Sequence, residues 1–276
     1  MDSRTLTLIL CRTGFLFYLK GKGGRKMDIY SDRIRLNAKL ELPASGSTPF
    51  PLAIIIHGIT GHMEEEHIVS VARTLREEGL ATLRVDMYGH GHSDGQFRNQ
   101  TLFKWITNAL SVIDYAKGLD FVTDLYLCGH SQGGLTVALT AALKRNDLKG
   151  IIELSPALMV PDCARNGNFL GTVFDPEHIP DEVGQGKYAL DGNYFRVAQT
   201  FHVNEFIDRY TGPVFLVHGD QDQAVPVQYS IDAAQRYRQA ELAIIPGDDH
   251  NYTRHLDQAL SAVQHWIRKQ LEVRNV

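Results

Sequence analysis

Gly129-His130-Ser131-Gln132-Gly133 sets a serine between two glycines, directly after the apolar run Leu125-Tyr126-Leu127-Cys128 and directly before a helix-forming segment. G-x-S-x-G with a strand before it and a helix after it is the nucleophile elbow, a sharp turn that holds a serine Oγ in the open. Gly129 and Gly133 stand where a Cβ would crowd that turn. A serine hydroxyl is a weak nucleophile and needs a base within hydrogen-bond reach, itself oriented by a third group. On such a turn the acid and then the histidine follow the serine along the chain. They belong in loops at the carboxyl ends of strands. Two late apolar runs end in loops of that kind. Val214-Phe215-Leu216-Val217-His218 leads into Gly219-Asp220-Gln221-Asp222, and Leu242-Ala243-Ile244-Ile245 leads into Pro246-Gly247-Asp248-Asp249-His250. The expected catalytic set is Ser131 as nucleophile, Asp222 as orienting acid and His250 as base, and this chemistry requires no metal and no cofactor.

Within each loop one residue is preferred. H-G-x-x-D followed by Val225-Pro226 favours Asp222 over Asp220, which reads as a turn aspartate. Of the 12 histidines, His250 sits just past a late strand, whereas His255 and His265 fall on the closing helix and read as surface residues. His130 neighbours the nucleophile but is expected to point away from it, and Asp248 and Asp249 read as loop solubilisers. The oxyanion hole is expected from the backbone N–H of Gln132, the residue after the nucleophile, and of Ile59 in the loop His57-Gly58-Ile59-Thr60-Gly61. Losing one such donor costs about 3 kcal/mol of transition-state stabilisation. The turn from Asp86 to Gly95, rich in aspartate and glycine, is assigned no chemistry.

The elements that must hold these residues alternate. Residues 27–42 read as two short strands turning at Ser31-Asp32, and residues 52–57 as a continuous apolar strand of the kind buried on both faces of a parallel sheet. Helical spacing at 67–78, a strand at 81–85, a helix at 102–118, the elbow strand and helix, and strands at 151–155, 214–218 and 242–245 follow. Helices at 227–237 and 255–271 complete the pattern. Strands alternating with helices give an α/β fold built on a mostly parallel, doubly wound sheet. Residues 157–210 break the rhythm as an insertion too long for an ordinary connection, and its aromatics (Phe169, Phe174, Tyr188, Tyr194, Phe195, Phe201) argue for order.

The 276 residues, 43% hydrophobic and 22% charged, suit one large domain with an insertion. A net charge of −4 offers no nucleic-acid footprint. Three scattered cysteines, Cys11, Cys128 and Cys163, exclude a disulfide framework and point to a reducing, cytoplasmic compartment. The apolar stretch 6–19 is interrupted by Arg12, is too short to span a bilayer and lacks a signal-cleavage site, so no membrane association is expected. Leu10 is too bulky for a lipoprotein box before Cys11. Residues 1–26 are read as an N-terminal extension, with Met27 as the true start, and residues 27–276 as the domain. Oligomeric state is left open, with a homodimer as one arrangement.

With the triad assembled, the chain resembles the α/β-hydrolases and, more narrowly, the bacterial cinnamoyl (feruloyl) esterases. The resemblance rests on Ile29-Tyr30-Ser31-Asp32, His57-Gly58-Ile59-Thr60-Gly61, Gly89-His90-Gly91-His92-Ser93-Asp94-Gly95 and the elbow itself. More telling are Phe174-Asp175-Pro176-Glu177-His178-Ile179-Pro180-Asp181 and Leu190-Asp191-Gly192-Asn193-Tyr194-Phe195-Arg196-Val197-Ala198-Gln199 inside the insertion. The resemblance implies a lid subdomain at 157–210 over an acyl pocket, with a lid aspartate and tyrosine binding the phenolic hydroxyl of the aromatic acid. Tyr194 lies on the matching motif, and Asp162 is the nearest aspartate, in a stretch shifted by one residue. The implied function is hydrolysis of hydroxycinnamate esters (ferulate, caffeate or p-coumarate type) through an acyl-enzyme. A broad short-chain carboxylesterase or acylglycerol lipase would share the triad behind a greasier lid. A serine peptidase of this fold usually carries an extra N-terminal domain, for which this chain has no room. A non-catalytic binding module is disfavoured by the intact triad.

Overall fold

The computed structural model describes residues 24–43 and 49–272. The expectations for the stretch 6–19 and for Cys11 lie outside the described residues. The first strand, β1 (Arg25–Ser31), begins before Met27 and pairs antiparallel with β2 (Ile34–Glu41) from Arg25 opposite Leu40 onward. The domain's first strand thus includes two residues assigned above to the extension. The turn is Asp32-Arg33, both at positive φ (47° and 66°), rather than Ser31-Asp32. Two positive-φ residues match the twist of a tight hairpin. Ser31 stays in the strand because its hydroxyl is buried against the Thr107 carbonyl and the Asn108 and Ser111 side chains.

The main sheet continues through β3 (Phe50–Ile56), β4 (Ala81–Val85), β5 (Val122–His130) and β6 (Leu148–Leu154). After the insertion come β11 (Val214–Gly219) and β12 (Ala240–Ile245). Strand order is β1-β2-β4-β3-β5-β6-β11-β12. Only β1 with β2 and β2 with β4 are antiparallel, and every other pairing in this sheet is parallel. Along β3, Leu52, Ile54 and Ile56 face α2 (Leu102–Lys117) and α3 (Gln132–Leu143), while Ala53 and Ile55 face α1 (Glu66–Glu77) and α8 (Leu256–Glu272). Both faces are therefore buried, which explains why β3 reads as a continuous apolar run. The ends of β3, β5, β11 and β12 then open onto one edge, where the elbow and the acid and base loops lie.

The insertion between β6 and β11 contains α4 (Val160–Asn166), the short pair β7 (Asn168–Phe169) and β8 (Thr172–Val173), and the pair β9 (Glu182–Val183) and β10 (Leu190–Asp191). Helices α5 (Gly192–Ala198) and α6 (Val203–Arg209) finish it, and α7 (Gln228–Arg236) follows β11. Phe169, Phe174, Tyr194 and Phe195 pack ring to ring with centroids 4.7–5.9 Å apart, a small aromatic core continuous with the main one. Such offset and edge-to-face contacts add to the apolar area they bury.

One buried carboxyl makes the stability pH-dependent. Glu153 on β6 is fully buried, accepts the Tyr237 hydroxyl at 2.7 Å on Oε1, and has no partner on Oε2. Burial pushes it up to about 8, against the pull of the Tyr237 bond. Between the ordinary glutamate value and about 8 the folded chain holds a proton that the unfolded chain has lost. Stability therefore falls as pH rises through that window, by about 1.4 kcal/mol per pH unit where the two states differ by a full proton. Glu153→Gln is neutral throughout and removes that slope. Melting curves at pH 5 and pH 8 should show a larger loss of Tm for the parent than for E153Q, and parallel losses would contradict it.

Candidate active site

Ser131 sits between β5 and α3 at φ 55° and ψ −121°, a positive φ that is strained for a non-glycine residue. The surroundings over-determine it. Its N–H donates to the Leu154 carbonyl at 2.9 Å, and its own carbonyl accepts from Ala157 N at 2.9 Å and Leu135 N at 3.1 Å. A Cβ on Gly129 would lie 2.3 Å from the Gly133 carbonyl oxygen, and one on Gly133 would lie 2.4 Å from that of Ile56. Both glycines are needed for α3 to dock this closely on the sheet. Gly58 approaches the same place: a Cβ there would be 3.1 Å from Ser131 Cβ.

Asp222 follows β11, and its side chain is wholly buried. Its Oδ2 accepts from His250 Nδ1 at 2.6 Å and from His218 Nε2 at 3.0 Å, while Oδ1 accepts the backbone N–H groups of Ala224 and Val225, each at 2.8 Å. Burial alone would raise this carboxyl, but the hydrogen bonds from His218 and His250 outweigh it and hold it well below the ordinary aspartate value. An ionised Asp222 fixes the proton of His250 on Nδ1 and leaves Nε2 free as a base. Asp220 makes no such contact. It is exposed and accepts Gly247 N at 2.7 Å, tying the base loop to the acid loop.

Asp248 is a correction to the sequence reading. It is fully buried and accepts the N–H groups of Asp249 at 3.0 Å and Arg254 at 3.1 Å, so it shapes the turn that carries His250 rather than solubilising it. Asp249 is half-buried and accepts from Asn251 N and Thr253 N, each at 3.1 Å. His130, expected to point away from the nucleophile, makes its contacts with His250 and His67. Its Nε2 donates to the His250 carbonyl at 2.8 Å, and its Nδ1 accepts from His67 Nε2 at 3.2 Å. Burial lowers both rings, His67 to about 4, so both are neutral and each has one donor and one acceptor nitrogen.

The loop expected to supply the second oxyanion donor is held by two more histidines. His57 Nε2 accepts from Met87 N at 3.0 Å, which places its proton on Nδ1, 2.7 Å from the Gly58 carbonyl. Burial lowers this ring to about 3. His90 bridges the carbonyls of Tyr88 at 2.8 Å and Ile59 at 2.5 Å. The turn 86–95 therefore supports the loop beside Ser131, although its sequence signalled only a tight turn. Its Asp86 is buried and accepts Met63 N at 2.8 Å and Asn37 Nδ2 at 2.8 Å.

Ser131, His250, Ile59 and Gln132 line one cavity of about 170 Å³. Asp162 and Tyr194 are not among its lining residues. Asp162 pairs with Arg165 at 2.7 Å and accepts the Tyr229 hydroxyl at 3.2 Å. Tyr194 is fully buried behind Phe169, and its hydroxyl donates to Gln132 Oε1 at 2.5 Å. The Gln132 amide in turn donates to Gln100 Oε1 at 3.1 Å, so the insertion is tied through Tyr194 to the residue after the nucleophile. His218 was overlooked in the sequence even though it is the histidine of the H-G-x-x-D loop. His67 carries no local signal, whereas His57 and His90 lie in the stretches 57–61 and 89–95, which gave no role for either ring.

Residues 48–176 match the family described as serine aminopeptidase, S33. Est1E from Butyrivibrio proteoclasticus, solved with ferulic acid bound, is 55% identical, with a TM-score of 0.88 over 89% of this chain and 99% of that one. Protein ABHD12B of Homo sapiens is 25% identical over 233 residues, 80% of this chain and 61% of that protein. The mitochondrial palmitoyl-protein thioesterase ABHD10 of Mus musculus is 27% identical over 204 residues, 71% of this chain and 66% of that protein. The chain thus spans 61–66% of the length of these two curated relatives. The chain belongs to the α/β-hydrolase superfamily and, within it, stands close to the bacterial feruloyl/cinnamoyl esterase family represented by Est1E.

Proposed function

We propose that the chain is a serine carboxylic ester hydrolase that cleaves hydroxycinnamate esters through an acyl-enzyme. The observation that carries this reading is the His250–Asp222 pair opening with Ser131 onto one cavity whose far wall is apolar. The high identity to a protein seen with ferulic acid supports the acyl group. His250 takes the Ser131 proton as the alkoxide attacks the ester carbonyl, and the N–H groups of Ile59 and Gln132 receive the oxyanion. His250 then protonates the leaving alcohol, and water repeats the sequence on the acyl-enzyme, while Asp222 stabilises the imidazolium.

The insertion acts as a lid over the acyl group, since Met159, Val160, Phe169 and Leu170 give the cavity its apolar wall. A planar phenylpropenoyl group suits such a slot with few polar groups at its end. Asp162 and Tyr194 are the groups proposed to meet the phenolic hydroxyl, a role that requires rearrangement of the insertion, because neither lines the cavity and the Tyr194 hydroxyl is bonded to Gln132. Asp162 already accepts one phenol, that of Tyr229. Among the described residues no helix is long and apolar enough to cross a membrane. A reducing cytoplasm is the compartment proposed for the free thiols of Cys128 and Cys163.

Steady-state comparison of ethyl ferulate with p-nitrophenyl butyrate tests the substrate class. The expected result is a kcat/KM for ethyl ferulate at least tenfold the higher. Near-absent ferulate turnover beside brisk butyrate turnover would contradict it and favour a broad short-chain esterase or acylglycerol lipase.

A further inference from the structure

The cavity around Ser131 has a mixed lining. Val160, Phe169, Leu170, Ala224 and Val225 are apolar, whereas Thr60, Glu65 and Asn251 bring polar groups, Asn251 directly after His250 and Glu65 near enough to feel the charge of His250. The base must protonate the departing oxygen, so the alcohol of the ester lies against His250 and its neighbours. Glu65 is the carboxylate of that lining. It is half-buried, and it folds back over Gly61, where a Cβ would come 2.0 Å from its Oε2. Among the described residues its carboxylate accepts one hydrogen bond, a long one of 3.3 Å from His62 N. Although Glu65 flanks the start of α1, its side chain does not cap that helix. The carboxylate is thus left with acceptor capacity facing the cavity. Burial raises it, against the smaller lowering effects of the His62 hydrogen bond, the charge of His62 and, least, that of His250.

We infer that Glu65 selects the alcohol half of the substrate, accepting hydrogen bonds from the hydroxyls of a neutral polyhydroxy alcohol such as a sugar and disfavouring an anionic one. The inference rests on the ester-hydrolase reading above. Vicinal hydroxyls give a carboxylate two donors at once, the arrangement that its two oxygens accept best. A simple alkyl alcohol has no donor to offer, and a quinate ester would bring its own carboxylate toward Glu65.

The test compares three esters of one acid, a feruloylated pentose, ethyl ferulate and feruloylquinate, on the parent protein and on Glu65→Gln and Glu65→Ala. The ratio of kcat/KM for the sugar ester to that for ethyl ferulate should fall at least tenfold in E65A, mainly through KM, and by less in E65Q, which keeps one acceptor. The ratio of feruloylquinate to ethyl ferulate should rise in both. An equal loss on all three esters would overturn the inference, since it would make Glu65 a group acting on His250 alone. Unchanged ratios would overturn it as well. A parent protein that cleaves none of the three esters would instead refute the ester-hydrolase reading itself.

Discussion

Ser131→Ala is expected to lower kcat for ethyl ferulate by roughly 10⁶-fold, the scale on which removal of a catalytic serine acts in an enzyme with an intact base and oxyanion hole. The geometry supports so large a loss, because neither of the described thiols can take over. Cys128 is fully buried, with burial pushing its thiol far up, and Cys163 is absent from the cavity lining. The alanine variant should fold, since the contacts that set the elbow are made by the backbone of Ser131 and by Gly129 and Gly133. Circular dichroism and melting curves matching the parent, beside the lost turnover, would establish a chemical rather than a structural cause. Retention of substantial hydrolysis by a folded S131A would overturn the assignment.

Asp222→Asn is expected to lower kcat by roughly 10⁴-fold while leaving the fold intact. The reason lies in the four bonds to this carboxylate. The two backbone N–H groups on Oδ1 require an acceptor there, so an asparagine must put its carbonyl at that position. Its amide NH₂ then faces His250 Nδ1 and His218 Nε2, both of which donate to Asp222. His218 can keep its bond to the Val225 carbonyl at 3.1 Å. Among the described residues His250 Nδ1 has no second acceptor, so it must turn that nitrogen into an acceptor, which puts its proton on Nε2 and removes the base. Solvent deuterium effects and a pH–rate profile measured on D222N should show general-base catalysis weakened at every pH. A loss below tenfold would mean that Asp222 does not set the tautomer of His250.

How far these residues could be read from the sequence depends on whether their signal is local. The elbow is local: Gly129 and Gly133 are spaced by the turn itself, and their tight contacts explain why no other residue serves there. Asp222 and His250 were legible because each follows an apolar run that becomes a parallel strand, and the chain order of such a site is fixed by topology. The supporting histidines were not legible, since their partners are distant in the chain. His67 meets His130 across 63 positions, and His130 meets the carbonyl of His250 across 120. Asp248 looked like a surface residue beside Asp249, and only its two backbone donors reveal it as buried. The insertion was legible as an interruption, but its two-residue strands and seven-residue helices are too short to carry a period. Tyr194 lies on its family motif, yet its hydroxyl is bonded to Gln132, a contact that no spacing in the sequence could indicate.

The central claim is a covalent feruloyl intermediate on Ser131. It is tested most directly by acid-quenching the protein within milliseconds of mixing with p-nitrophenyl ferulate and mapping the adduct by peptide mass spectrometry. The expected result is a feruloyl mass on the peptide bearing Ser131, present in the parent, accumulating with the burst of p-nitrophenol and absent from S131A. A burst with the adduct on another residue, or the same adduct in S131A, would contradict the account.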